Sequence, residues 1–273
     1  MSALFASCPA PGGDQRRILS AGAFGLLAVL ILLGALHEQV APFAAGAAGA
    51  GQPLAPPGAL RPFGTDLLGR DLWSETLHAT AATLSTAAAA FGLALVFGVF
   101  AGPAAAHLAG RTGTALRAAA HVFVSIPPLL LAVLLASLIG AGNFALAAGM
   151  AAAPAAFVRG FDRASGIRAA PFAQYARAGG ASGFDLLRRD LLHELRETAI
   201  GTLLRLFASI MVMVSAMSFL GFGAAPPARD LGLMIASARA SLPGAWWTAA
   251  GPVLMLALIV LAARLAARPG KDA

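Results

Sequence analysis

The chain has 273 residues, 59% of them hydrophobic and 11% charged, with 19 basic against 12 acidic side chains and a net charge of +7. A soluble domain carries about 25% charged residues, so a water-soluble globule is excluded. The basic excess does not point to nucleic acid either, because no basic patch interleaves with aromatic side chains; the arginines read instead as topology signals of a membrane protein. The single cysteine, Cys8, leaves no partner for an intrachain disulfide or a Cys-based metal site.

Among the stretches without Asp, Glu, Lys or Arg, five are candidate spans: Ile18 to Leu36, Ala79 to Ala106, Ala118 to Val158, Leu206 to Ala228 and Ala240 to Ala263. A spanning helix needs about 20 apolar residues. The third stretch holds two spans, divided at the turn-forming cluster Gly140-Ala141-Gly142-Asn143. Six transmembrane helices are therefore predicted, at about 18–36, 79–104, 118–139, 143–159, 204–224 and 244–264. The segments lack the alternating, roughly ten-residue pattern of a barrel, so the fold class is all-α.

In chain order, residues 1–17 form a cytoplasmic tail and 18–36 the first span. A competing reading makes Arg16, Arg17 and the apolar run a cleaved signal, but its core is longer than the 7 to 15 or so residues usual for one. Residues 37–78 form an external loop with an interfacial helix. Its Ala/Gly/Pro-rich part, Ala41 to Pro62, reads as a loose linker. Pro62 to Glu75 then reads as a turn and a short helix that Thr65 or Asp66 caps, with Asp66 and Arg70 paired at i and i+4 and Trp73 at the membrane interface. Residues 79–273 form the core, in which Gly98 and Gly102 give a Gly-x-x-x-Gly packing face and Pro127-Pro128 kinks the third span.

The longest charged stretch is a cytoplasmic loop at 160–200. An alanine-rich helix ends at Gly179-Gly180, and Ser182 with Asp185 starts a second, amphipathic one that carries Phe184, Leu187 and Leu191 on one face. That face either packs under the bundle or docks a soluble subunit. With the N-terminus inside, fourteen basic residues fall on cytoplasmic segments and four (Arg61, Arg70, Arg229, Arg239) on external ones, with Arg205 at a boundary. The positive-inside rule then places both termini in the cytoplasm.

Absences narrow the function. All twelve acidic residues lie outside the five uncharged stretches, which argues against an ion-coupled secondary transporter. The only lysine is Lys271, so the chain cannot build a phosphate-binding loop, and an ATP-driven step needs a second polypeptide. Gly180-Ala181-Ser182-Gly183 matches the short Gly-x-Ser-Gly pattern of rhomboid proteases, which leaves an intramembrane enzyme using Ser182 as an alternative. That serine, however, shares an arginine-rich loop with His193. His37, His78, His107 and His121 show no metal-ligand spacing.

Three segments carry a resemblance. Pro62 to Ser74, with Gly64-Thr65-Asp66 and Gly69-Arg70-Asp71, closely resembles the segment before the second span in C-type permease subunits of ABC importers for dipeptides, oligopeptides and nickel. Gln174 to Leu192 is similar to their cytoplasmic coupling loop, and Ser218-Phe219-Leu220-Gly221-Phe222-Gly223 before Pro226-Pro227 resembles their Ser-Phe-Leu-Gly-Leu-Gly signature. Departures are Gln174 and Tyr175 for the usual Glu and Ala, His193 for Pro, Val214 for an acidic residue and Leu231 for Trp. Met217-Ser218-Phe219 and Gly232 to Ile235 lean toward nickel or metal-chelate members.

The resemblance implies a type I ABC importer permease (MetI-like) fold in the bacterial inner membrane. Its partners would be a second homologous permease in a heterodimer, two cytosolic ABC ATPases and an extracytoplasmic substrate-binding protein. ATP and Mg would be held by the ATPases, and this chain would bind no cofactor and no metal and would not be an enzyme. Gln174, Ala176, Arg177, Ala178, Gly180, Ala181, Ser182, Phe184, Leu187 and Leu191 would form the ATPase-coupling loop.

Overall fold

The computed structural model describes residues 13–49, 51–108, 111–169, 200–223 and 229–267, together with 171, 175 and 179. Among them the chain is helical and without strands; two isolated bridges, Gly58 with Arg61 and Thr65 with Asp71, close turns in the long loop after α2. α1 (Gly13–Ala35) and the single turn α2 (His37–Val40) precede that loop. α3 (Leu72–Leu95) then runs through a π-helical turn (Val96–Ala101) into α4 (Gly102–Ala106). α5 (Arg111–Val124) and α6 (Pro128–Ile139) follow, then a 3₁₀ turn (Ala141–Asn143) and α7 (Phe144–Ala169). α8 (Ile200–Met217) ends in a second π-helical turn (Ser218–Phe222), and α9 (Leu231–Ala238) and α10 (Trp247–Ala266) complete the bundle. The end where α3, α7 and α10 begin carries the long loop; we call it the loop end, and the opposite one the arginine end.

No separate interfacial helix forms between Pro62 and Glu75. The turn persists to Asp71, and a continuous helix of 35 residues starts at Leu72, because nothing between Leu72 and Leu95 except Gly92 weakens it. At about 1.5 Å per residue that rod is about 52 Å long, against roughly 30 Å of hydrocarbon. Part of its length therefore lies outside the lipid core or is taken up by tilt.

Among the described residues, four helices are long and apolar enough to cross a membrane: Leu72–Ala106, Phe144–Ala169, Gly201–Phe222 and Trp247–Ala266. A fifth is reached if α5 and α6 are taken as one span, and the described apolar part of α1, Ser20–Ala35, is shorter. The difference from six full spans has a local cause at Pro127. There the backbone is extended (φ −52°, ψ 128°), Pro128 opens α6, and the two helices meet at 92° instead of forming one kinked rod. The predicted turn before α7 is present. Gly140 takes φ +91°, and Asn143 Nδ2 donates to the Ile139 carbonyl at 3.0 Å.

α7 is the central element, packed by α3, the first π-turn, α4, α5 and α6. Hydrocarbon is no worse a solvent for apolar side chains than another helix, so contact depends on close backbone approach. The alanines of α7, such as Ala147, Ala148 and Ala156, are buried against α3 and its extension. Gly98 and Gly102 form the expected packing face: a Cβ at Gly102 would lie 2.5 Å from the Phe157 carbonyl, and one at Gly160 would fall on the carbonyl of Gly98. Gly160→Val is expected to destabilise the bundle by about 1–3 kcal/mol through overpacking. It should lower the melting temperature in detergent, whereas Gly166→Ala, where a Cβ meets nothing within 4 Å, leaves it unchanged.

Candidate functional site

The segment Pro62 to Ser74 is a hydrogen-bonded scaffold. Gly64 (φ +72°) and Gly69 (φ +69°) supply left-handed turns, and a Cβ on either would strike a carbonyl of the preceding loop, Ala55 or Gly51. Thr65 is fully buried. Its hydroxyl donates to the Gln52 carbonyl at 2.6 Å and accepts from the Ala55 amide at 2.8 Å. Asp66 Oδ1 accepts from the amides of Leu68 and Arg70 at 2.8 and 2.9 Å. The N-cap of α3 is Asp71, not Thr65 or Asp66: its carboxylate accepts from the Ser74 amide and hydroxyl at 2.9 and 2.7 Å.

Ala41 to Pro62 is accordingly no loose linker. Gly51 N donates to Gly69 O (3.0 Å), Leu54 N to Asp66 O (3.0 Å) and Thr65 N to Ala55 O (3.0 Å), so the Ala/Gly-rich chain lies folded around the scaffold. Composition misread it because its small residues bury no core of their own; they are held through backbone groups instead.

Charge completes this end. Glu75, 3% exposed in the first turn of α3, accepts from the Gly46 amide at 2.6 Å, and its other oxygen lies 3.5 Å from Arg229 Nε. Arg229 also reaches Asp66 at 3.7 Å. The partner of the Asp66 carboxylate is thus Arg229 from a distant segment, while Arg70 contributes its backbone N–H. The next residue, Asp230, caps α9 through the Leu233 amide (2.9 Å) and accepts from the Ser218 hydroxyl (2.6 Å). Leu231 N donates to Thr83 Oγ1 of α3 at 3.0 Å.

Ser218 to Gly223 therefore meets the Pro62 to Ser74 scaffold through Arg229 and Asp230. Gly221 (φ +91°) turns the chain at the end of α8, Gly223 leaves space for Ser218 Oγ, and Phe219 lies under the Arg239 guanidinium at 5.6 Å. Leu220 is exposed. A cavity of about 310 Å³ sits between the Pro62 to Ser74 scaffold, α9 and the start of α10, lined by Asp66, Arg229, Ser237 and Thr248 among others. Glu75, Arg229, Asp230 and Thr83 were not singled out from the sequence. The signal for Asp230 was available, an Asp directly before the apolar run Leu231 to Ala236.

The predicted coupling-loop residues Gln174, Ala176, Arg177, Ala178, Gly180, Ala181, Ser182, Phe184, Leu187 and Leu191 lie outside the described residues. Nearby, Tyr175 is exposed and its carbonyl accepts from Gly179 N at 2.9 Å. At the arginine end, Arg117 of α5 pairs with Asp162 of α7 at 2.5 Å and stands over the Phe161 ring. Arg205 donates to the Ala267 carbonyl (2.6 Å) and to Thr202 Oγ1 (3.0 Å). No group of three His, Cys, Asp or Glu that could hold a metal exists among the described residues.

The described residues form a helical bundle of the polytopic membrane class, with a folded loop scaffold at one end and an arginine-rich opposite end. Residues 94–268 match the family described as binding-protein-dependent transport system inner membrane component, and the chain belongs to that family. It is 31% identical over 215 residues to the di/tripeptide transport system permease protein DppC of Pseudomonas aeruginosa, covering 77% of this chain and 70% of that one. It is 28% identical over 215 residues to the glutathione transport system permease protein GsiD of Shigella dysenteriae, with 77% and 70% covered. The chain is thus an inner-membrane permease subunit of an ABC importer and not an enzyme; an ATPase and a binding protein are separate subunits in such systems. The readings as a Ser182 protease and as an ion-coupled carrier fall with this membership.

Gly69→Ala forces a Cβ into a left-handed position and against Gly51 O, at a cost of about 1–3 kcal/mol. The loop should detach locally, and limited trypsin digestion at Arg61 should accelerate. Gly58→Ala, with open space around it, leaves the cleavage rate at the wild-type value.

Proposed function

We propose that the chain forms one wall of the transport path in an ATP-driven importer of short peptides, as a heterodimer with a second, homologous permease. Two cytosolic ATPases hold ATP and Mg, and an extracytoplasmic binding protein delivers the cargo. The observation that carries this reading is the family match together with the functions for which the two relatives are named, di/tripeptide and glutathione transport. Neither relative is named for nickel, so the metal-chelate lean of Met217-Ser218-Phe219 is set aside in favour of peptides.

The orientation follows from charge. The arginine end gathers Arg117, Arg159, Arg163, Arg205 and Arg264 and faces the cytoplasm under the positive-inside rule. The loop end, with its internally paired Asp66, Glu75 and Arg229, faces outward and meets the binding protein. Both termini are then cytoplasmic, and the segment Gln174 to Leu191 falls on the ATPase side. Its sequence pattern supports docking to the ATPase through Phe184, Leu187 and Leu191, with Gly180 at the turn the coupling-loop resemblance implies.

Two experiments test this. Affinity purification of the chain expressed with its neighbouring genes should retain an ATPase and a second permease, and the assembly should take up a labelled dipeptide with ATP; uptake by the chain alone without ATP would refute the reading. Replacing Gly180 by Leu should leave insertion intact and cut ATP-dependent uptake by about tenfold or more, equivalent to at least about 1.4 kcal/mol of coupling, while the ATPases continue to hydrolyse ATP.

A further inference from the structure

A cleft of about 790 Å³ opens at the arginine end between α6, α7, α8 and α10. Its wall has two characters. Along α8 it is apolar, with Leu206, Ile210 and Met213, and toward its end it is ringed by Arg159 and Arg163 of α7, Arg205 of α8 and Arg264 of α10. Arg205 is held in place by a backbone carbonyl and a threonine hydroxyl, neither of which neutralises its charge. Among the described residues lining the cleft there is no Asp or Glu. Like charges gathered around one volume beside a low-dielectric wall repel, and an anion seated between them removes that cost.

We propose that this cleft binds an anionic phospholipid of the inner leaflet, its phosphodiester between the guanidinium groups and one acyl chain along α8. Guanidinium forks match phosphate oxygens in charge and shape. Basic pockets between membrane helices on the cytoplasmic side are a recurrent form of headgroup site. A peptide cargo fits less well. It is zwitterionic, and its ammonium group would meet four arginines and no carboxylate among the described lining residues. A lipid satisfies both parts of the wall with one molecule. The inference rests on the proposed orientation, which puts the arginine end at the inner leaflet.

The test uses the full-length chain purified with its permease and ATPase partners. The assembly is equilibrated with equal amounts of phosphatidylglycerol and phosphatidylethanolamine in detergent and washed, and the retained lipid is quantified by mass spectrometry. The wild type should retain phosphatidylglycerol severalfold over phosphatidylethanolamine. Arg159→Gln with Arg264→Gln should bring the ratio to parity, and Arg159→Lys with Arg264→Lys, which keeps the charge and guards against a folding defect, should restore most of it. Equal retention of the two lipids by the wild type, or a ratio indifferent to the Gln pair, would overturn the proposal. Displacement by glycerol phosphate alone would assign the cleft to a soluble phosphate, and displacement by a dipeptide with a free carboxylate would assign it to cargo; either result also overturns it. The orientation is checked separately by labelling an Arg61→Cys variant, in a Cys8→Ser background, from outside intact cells. A failure there is therefore distinguishable from a failure of lipid retention.

Discussion

Helices in a bilayer gain nothing from the hydrophobic effect by touching one another, and everything in this bundle depends on how α7 overcomes that. It does so by presenting alanine and glycine to its neighbours, so that α3, α4, α5 and α6 approach to backbone distance. The contact of Gly160 with the Gly98 carbonyl lies inside the π-helical turn Val96–Ala101. A π-turn admits an extra residue and shifts the register of the helix beyond it, and here it accompanies the passage of α3 into α4 across the face of α7. The same close approach recurs where Gly232 of α9 meets the Ser215 carbonyl of α8.

The two ends of the bundle treat charge in opposite ways. At the loop end Asp66, Asp71, Glu75, Arg229 and Asp230 are tied to one another, to serine hydroxyls and to backbone amides. At the arginine end the guanidinium groups face a cleft. A surface whose charged groups are already hydrogen-bonded internally suits repeated contact with a soluble protein, whereas a cationic opening suits the anionic side of a membrane.

Much of this was readable from residue order. Charge-free stretches located the long helices, Gly98 and Gly102 marked a packing face, and Gly140 marked a turn. Local signals failed where the partner was remote. The Asp66 carboxylate looked destined for Arg70 four residues on, yet helical spacing is meaningless in a segment that never becomes helical, and Arg229 takes that place. Ala41 to Pro62 looked disordered because composition registers side chains, while this loop is held by main-chain hydrogen bonds. Pro127-Pro128 signalled a kink, but nothing in the dipeptide encodes a bend of 92°; that angle depends on where α5 and α6 find contact with α7.

The shortness of α6 has a consequence for biogenesis. Its 12 residues reach only about 18 Å at about 1.5 Å each, too little to hold a position across roughly 30 Å of hydrocarbon. The extended residue Pro127 also separates it from the helix before. α6 alone is thus shorter than a full span, and its place in the bundle depends on packing against α7 and α8, which are synthesised after it.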